Sequence, residues 1–346
     1  MSDLAIRTEG FAGCITLSRP KQLNALTHEM CLKIEAALDS WRHEDAVGLV
    51  VVDAVGKSFC AGGDIQEMYR KGIAGNFEYG RRYWRDEYRL NAKLARYPKP
   101  IVTFLRGYVM GGGVGIGCHA SHRIVGESSR IAMPECTIGL VPDVGGSHLL
   151  SRSPGHTGEF LAMTGERLEA EDAIYAGFAD RFVPEADWPD ARRELVASGV
   201  TTSVDRNSTD RGKGALARNR ADIDRHFKGR TPAAIVASLH DCGDSFAREC
   251  LKRMSGNSPL SMACACELVR RQRAVDSIEE ALDLEFRFVY RSAEWGEFLE
   301  GIRARLIERG SRPNWRHSCV ADVAEDEIAW FLRPLNELAL KWDGAA

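Results

Sequence analysis

Between residues 47 and 53 the chain reads VGLVVVD, with hardly a polar position in it, and IVTFL at 101–105 repeats the pattern. Short runs of branched apolar residues predict strands buried on both faces. Upstream, Leu4–Arg7 and Gly13–Ser18 predict two more strands, joined through Gly10. Met30, Ile34, Ala37, Leu38 and Trp41 then recur at helical spacing, so residues 28–42 predict an amphipathic helix. Residues 79–96 predict another helix, ending before Pro98. Each buried run leads into a glycine-rich turn, SFCAGGDIQEMY after the first and GYVMGGGVGIGCH after the second. The same unit of helix, buried strand, glycine turn and helix therefore occurs twice. HRIVGE predicts a further strand, MPECTIGLVPDVGG follows it, and a helix is expected from near Glu169. Residues 196–222 are polar and poor in large apolar side chains, which places a boundary there. The expected division is an α/β core over 1–195 and a linker with a helical region over 196–346. In the latter, Ser277 and Glu280 form an S-x-x-E capping box. Ile278, Leu282, Phe286 and Val289 line one face behind it, and the Pro-Asn-Trp at 313–315 is expected to end the last strong helix.

Composition narrows the class. The 346 residues are 44% hydrophobic and 27% charged with a net charge of −3, as in a soluble globular protein with no electrostatic pull toward nucleic acid or a membrane surface. No apolar run approaches a membrane span. Ten cysteines show no C-x-x-C pair and no zinc spacing, so reduced buried thiols are expected and no metal site. The opening MSDLAIRTEG reads as neither a signal nor a transit peptide, and a cytoplasmic location is the expectation.

The glycine run sets the chemical question. A dinucleotide loop needs G-x-G-x-x-G, but Gly113-x-Gly115 is followed by Cys118 at the third position. A P-loop is excluded because no Gly-Lys-Ser/Thr follows. Gly115 and Gly117 read as close-packing positions. Gly111, Gly112 and Gly113 stand where a strand enters a helix, leaving backbone N–H groups that match a developing negative oxygen. The turn Cys60-Ala61-Gly62-Gly63-Asp64 offers a second such donor.

FCAGGDIQEM, GYVMGGGVGIG and RPKQLNAL together resemble the signatures of the enoyl-CoA hydratase/isomerase (crotonase) superfamily. The resemblance implies a spiral of ββα units with a helical C-terminal region. It also implies an acyl-CoA thioester polarised by the N–H groups of Gly63 and Gly112, with Ala61, Gly62, Gly111 and Asp64 shaping the surrounding substrate site. Hydratases of the superfamily pair two glutamates. The position of the first is Gly115 here, while the second is present as Glu135 after Pro134. MPECTIGLVPDVGG, NSPLS, ALDLEFRF and FLEGIRARLIERGSRPNW resemble the 3-hydroxyisobutyryl-CoA hydrolase branch instead. Two departures, Cys136 for Thr and Ser147 for a third glycine, bear on acyl preference.

That branch implies hydrolysis of a short hydroxyacyl-CoA in branched-acid breakdown. Glu135 would act as general base or as nucleophile. Asp143 would orient the substrate hydroxyl or the water, and Glu87 would touch substrate. Coenzyme A enters as part of the substrate, with no separate cofactor, and Arg19, Lys21 and Lys57 are candidates for its phosphates. Relatives often form trimers, so a homo-oligomer is an expectation. Other crotonase reactions and a non-catalytic acyl-CoA-binding role are the competing readings. His119 and His122 read as core or helix-surface histidines, and Ser258, Ser261 and Cys60 lack a nucleophile elbow.

Overall fold

Gly10, at φ +52°, turns the chain between β1 (Leu4–Glu9) and β2 (Ala12–Leu17), which pair antiparallel. In this computed structural model, which describes residues 3–342, six further strands follow. They are β3 (Leu49–Ala54), β4 (Ile101–Phe104), β5 (Tyr108–Met110), β6 (His122–Val125), β7 (Arg130–Ala132) and β8 (Arg181–Phe182). The main sheet runs β1-β2-β3-β4-β6-β8, parallel from β2 onward, while β5 and β7 pair in parallel as a separate small sheet. The described chain forms two compact units that interleave along the sequence. The first takes the chain up to Gly63, Asp86–Ala132 and Arg167–Ala217; the second takes Asp64–Arg85, Met133–Glu166 and the chain from Arg218 on.

The first unit is built on the sheet. Register aligns Cys14 with Val51 and Val51 with Val102, so these residues share one face. With Phe104 and Ile124 they bury against Trp188, Ala191 and Leu195 of the helix Trp188–Ser198. Each such large apolar side chain contributes about 1.5–3 kcal/mol when fully buried. The predicted helix is present as His28–Arg42, its first turn capped by Thr27 Oγ, which accepts from Met30 N–H at 3.2 Å. Trp41 from this helix lies so close to Gly13 that a Cβ there would stand 2.5 Å from its indole ring.

The units do not divide at 195/196, where the polar composition placed a boundary. The polar stretch holds the helix Thr202–Arg206, buries Val204 and Leu216, and belongs to the first unit up to Ala217. Asp172 fastens its far end by accepting from Ala215 N–H at 3.1 Å and Leu216 N–H at 2.8 Å.

The second unit is helical. Pro259–Gln272 is buried along most of its length, as a helix apolar on all sides must be. It packs against Gly146–Arg152, Thr157–Thr164, Ile278–Ser292 and Glu325–Leu332. Ser277 caps Ile278–Ser292 by accepting from Glu280 N–H at 3.3 Å, and Ile278, Leu282, Phe286 and Val289 are all buried as the spacing predicts. The Pro-Asn-Trp at 313–315 does not follow the last helix: Glu325–Leu332 comes after it, anchored by buried Phe331 and Leu332. Among the described residues no helix is long and apolar enough to cross a membrane. All ten cysteines are free thiols, and only Cys242 and Cys319 are exposed.

Candidate active site

The two glycine turns meet within the first unit. Cys60 forms a parallel bridge with Val109 of β5, Cys60 N–H donating to Tyr108 O at 3.1 Å and Met110 N–H donating to Cys60 O at 3.0 Å. From there the chain enters Gly111, whose φ of +47° and ψ of −121° suit glycine, and then the helix Gly112–Gly117. Gly112 therefore presents its N–H in a first helical turn, where no intrahelical acceptor exists. The other turn is held by the RPKQLNAL segment, with Ala61 N–H donating to Leu23 O at 3.1 Å and Leu26 N–H to Gly62 O at 2.9 Å. Gly62 has φ +118°. A Cβ on Gly112 would lie 3.4 Å from Gly63 N, so the two backbones converge on one spot. Asp64, the last residue of the turn, stands at the N-cap of Ile65–Ile73 without a side-chain cap bond and counts with the second unit.

Glu87 reaches the same spot. It is buried, and its Oε1 would lie 2.7 Å from a Cβ on Gly112. The neighbouring acid, Asp86, faces elsewhere and pairs with His28 at 2.6 Å and Arg89 at 2.9 Å. Gly113 and Gly117 serve packing. A Cβ on Gly113 would meet Cys60 O at 2.2 Å, and one on Gly117 would meet Leu105 and Phe59 side chains at 2.7 and 2.8 Å.

Glu135 and Asp143 lie in the second unit. Glu135 opens the short 3-10 turn Glu135–Ile138, which closes on Gly139 in the left-handed region. It is buried, and its Oε2 accepts no hydrogen bond from any described residue. Burial first, then the charges of Asp143 and Glu285, push its carboxyl well above the ordinary glutamate range. Asp143 is buried and begins a turn in which its carbonyl accepts from Gly146 N–H at 2.6 Å. Both central residues of that turn have positive φ, Val144 at +53° and Gly145 at +80°. For a β-branched residue such a conformation costs about 1–3 kcal/mol.

The turn is tied down by a residue that sequence reasoning did not single out. Glu285 accepts from Gly145 N–H at 2.8 Å, from Ser147 N–H at 2.9 Å and from the Ser147 hydroxyl at 2.5 Å. It is fully buried. Desolvation lifts its carboxyl to about 8, the donors from Ser147 and Gly145 working against that rise and the Asp143 charge adding to it. The acidic pattern of ALDLEFRF was the available signal, but it does not say which acid turns inward.

The other candidates have structural partners. Ser258 caps Pro259–Gln272, accepting from Ser261 N–H at 3.0 Å and donating to Glu297 at 2.5 Å. Burial pushes the Cys60 thiol up to about 12, which removes it as a nucleophile. His122 lies at the start of β6, its Nδ1 3.0 Å from Ser121 Oγ. Arg19 braces its own loop through Ala25 O at 2.6 Å and pairs with Asp3 at 3.3 Å. Among the described residues, His226, Cys242 and Asp244 bring potential metal-ligating atoms within 4.8 Å of one another. The Arg225 guanidinium donates to all three, so these atoms already face a fixed cation.

Comparison with known proteins agrees with this architecture. A family model described as enoyl-CoA hydratase/isomerase matches residues 12–332. The curated relatives include "3-hydroxyisobutyryl-CoA hydrolase, mitochondrial" of Xenopus tropicalis, 36% identical, the match covering 96% of this chain and 89% of the relative. A solved structure described as an enoyl-CoA hydratase from Rhodobacter sphaeroides 2.4.1 is 49% identical with a TM-score of 0.95, covering 99% of this chain and 100% of that one. Another, described as a carnitinyl-CoA dehydratase from Mycobacterium thermoresistibile, is 37% identical with a TM-score of 0.94 over the same shares, 99% and 100%. The fold is thus the crotonase fold.

Proposed function

The chain belongs to the enoyl-CoA hydratase/isomerase family, and from that premise we propose that it hydrolyses a short hydroxyacyl-CoA thioester of the 3-hydroxyisobutyryl-CoA type to the free acid and coenzyme A. The observation that carries this reading is Gly115, which leaves a glycine where hydration of a double bond calls for the first of two carboxylates. A positioned proton-transfer group is worth about 10²–10⁴ in rate, so a hydratase without it is crippled. Thioester hydrolysis needs less. The Gly63 and Gly112 N–H groups take the charge that develops on the carbonyl oxygen. Glu135 supplies the base or nucleophile, and its unpartnered buried Oε2 supports that role. The leaving thiolate departs with little protonation because a thiol's pKa is about 8.5. Asp143 and Glu87 are buried acceptors suited to a substrate hydroxyl, and a site that pairs a hydroxyl rejects acyl groups lacking one.

The second reading is hydration or dehydration of an acyl-CoA, favoured by the descriptions of the two solved structures. One assay separates them. With 3-hydroxyisobutyryl-CoA and a thiol-trapping dye, rapid release of coenzyme A is expected, whereas the conjugated absorbance of a 2-enoyl-CoA should decay at close to the uncatalysed rate. Enoyl-CoA hydration without thiol release would overturn the proposal.

Acid dependence gives a further check. Glu135 must be ionised to act, and its carboxyl lies well above the ordinary value of about 4.3. The hydrolysis rate is therefore expected to fall as pH drops through that raised value. A kcat/KM profile flat down to the ordinary glutamate range would contradict the role of Glu135.

A further inference from the structure

Glu285 is a fully buried carboxyl group that no step above uses directly, and it spends three contacts on one short turn. That turn carries Asp143 at its start and a valine in the left-handed region at its second position. Valine does not adopt such a conformation unaided, so the surrounding contacts must over-determine it. Among the described residues, the carboxyl contacts to Gly145 and Ser147 N–H come from Glu285. We propose that Glu285 is the positioning residue of this turn: by fastening Gly145 and Ser147 it keeps Val144 in its left-handed conformation and thereby sets where the Asp143 carboxylate stands. The inference deepens the hydrolase reading and rests on it for its catalytic consequence.

The chemistry of the contact supports a positional role. The two backbone contacts to Glu285 come from N–H donors, one on each oxygen, so both oxygens work here as acceptors. Glutamine preserves the shape but replaces one oxygen with an N–H₂ group. A donor then faces either Gly145 N–H or the Ser147 donors, and one side of the clamp is lost. Glycine at 144 would adopt the turn without a clamp. The two substitutions should therefore not add.

The test is a double-mutant cycle of Glu285→Gln and Val144→Gly, read by kcat and KM for 3-hydroxyisobutyryl-CoA and by crystal structures of the wild type and of Glu285→Gln. Glu285→Gln is expected to lower kcat about 10–100-fold with KM within about 2-fold, since misplacement by 1 Å can cost about 10²-fold. The double variant should recover at least about 5-fold of that loss. Wild-type kcat in Glu285→Gln, or a double variant as slow as the product of the single losses, overturns the inference. If Glu285→Gln does not fold, a folded double variant supports the clamp, and failure of both overturns it. If the wild type releases no coenzyme A, the hydrolase reading falls, and the crystal structures decide the clamp alone. Val144 leaving the left-handed region in Glu285→Gln supports it, and an unchanged turn overturns it.

Discussion

Glu135→Gln should lower thioester hydrolysis by at least about 10³-fold while leaving KM within a few-fold of wild type, because the amide keeps the shape of the carboxylate and loses its basicity. Steady-state release of coenzyme A measures this directly, and activity within 10-fold of wild type would remove Glu135 from the chemistry. The variant should also be no less stable than the wild type. A carboxyl whose folded value is raised holds its proton more tightly folded than unfolded. It therefore supports the fold below the ordinary carboxylate range and loses that support as pH rises through the raised value. Glutamine carries no such charge, so at mildly alkaline pH its Tm should equal or exceed that of the wild type. A lower Tm would mean that the ionised side chain is a structural acceptor instead. A single turnover in heavy-oxygen water tests the covalent route open to Glu135. Label appearing in its own carboxylate marks an acyl-enzyme anhydride opened at the glutamyl carbonyl, whereas label confined to the released acid is given both by activated water and by an anhydride opened at the acyl carbonyl.

The strands and turns that carry the proposed site are legible in the sequence for a physical reason. A strand buried on both faces has to be apolar throughout, which Val50, Val51 and Val52 satisfy. A backbone at φ +118°, or at φ +47° with ψ −121°, favours glycine strongly, which marks Gly62 and Gly111. Acids are harder to read, because burial is a property of the neighbours. Asp86 and Glu87 are adjacent on one helix, yet Asp86 pairs with His28 and Arg89 while Glu87 faces Gly112. Glu285 is equally opaque, since its partners Gly145 and Ser147 lie some 140 positions away. Ser258, set aside as a nucleophile for want of an elbow, is committed to a helix cap and to Glu297. The polar segment after residue 195 reads as a linker because it has few large apolar residues, but Val204 and Leu216 suffice to anchor it.

Gly112→Ala should separate function from fold within the glycine run. The added methyl would sit 2.7 Å from Glu87 Oε1, 3.4 Å from Gly63 N and 3.4 Å from the Leu26 side chain. The short contact is with the end of a side chain, which can turn aside, so the fold should survive with little change in Tm. The methyl also stands beside Gly63 N, one of the two groups proposed to receive the thioester oxygen. Losing one oxyanion donor costs about 10²–10³ in rate, and a loss of that order in kcat/KM is expected here. Gly113→Ala is the control, one residue along. Its methyl would stand 2.2 Å from the Cys60 carbonyl oxygen, which is backbone and is itself bonded to Met110 N–H at 3.0 Å. That contact cannot be relieved by a rotamer change, so this variant should lose stability first, with Tm lowered by several degrees or no soluble protein. Equal Tm losses in both variants would show that Gly112 is held by packing like Gly113. A Gly112→Ala enzyme of wild-type kcat/KM would place the thioester oxygen away from the Gly63–Gly112 pair.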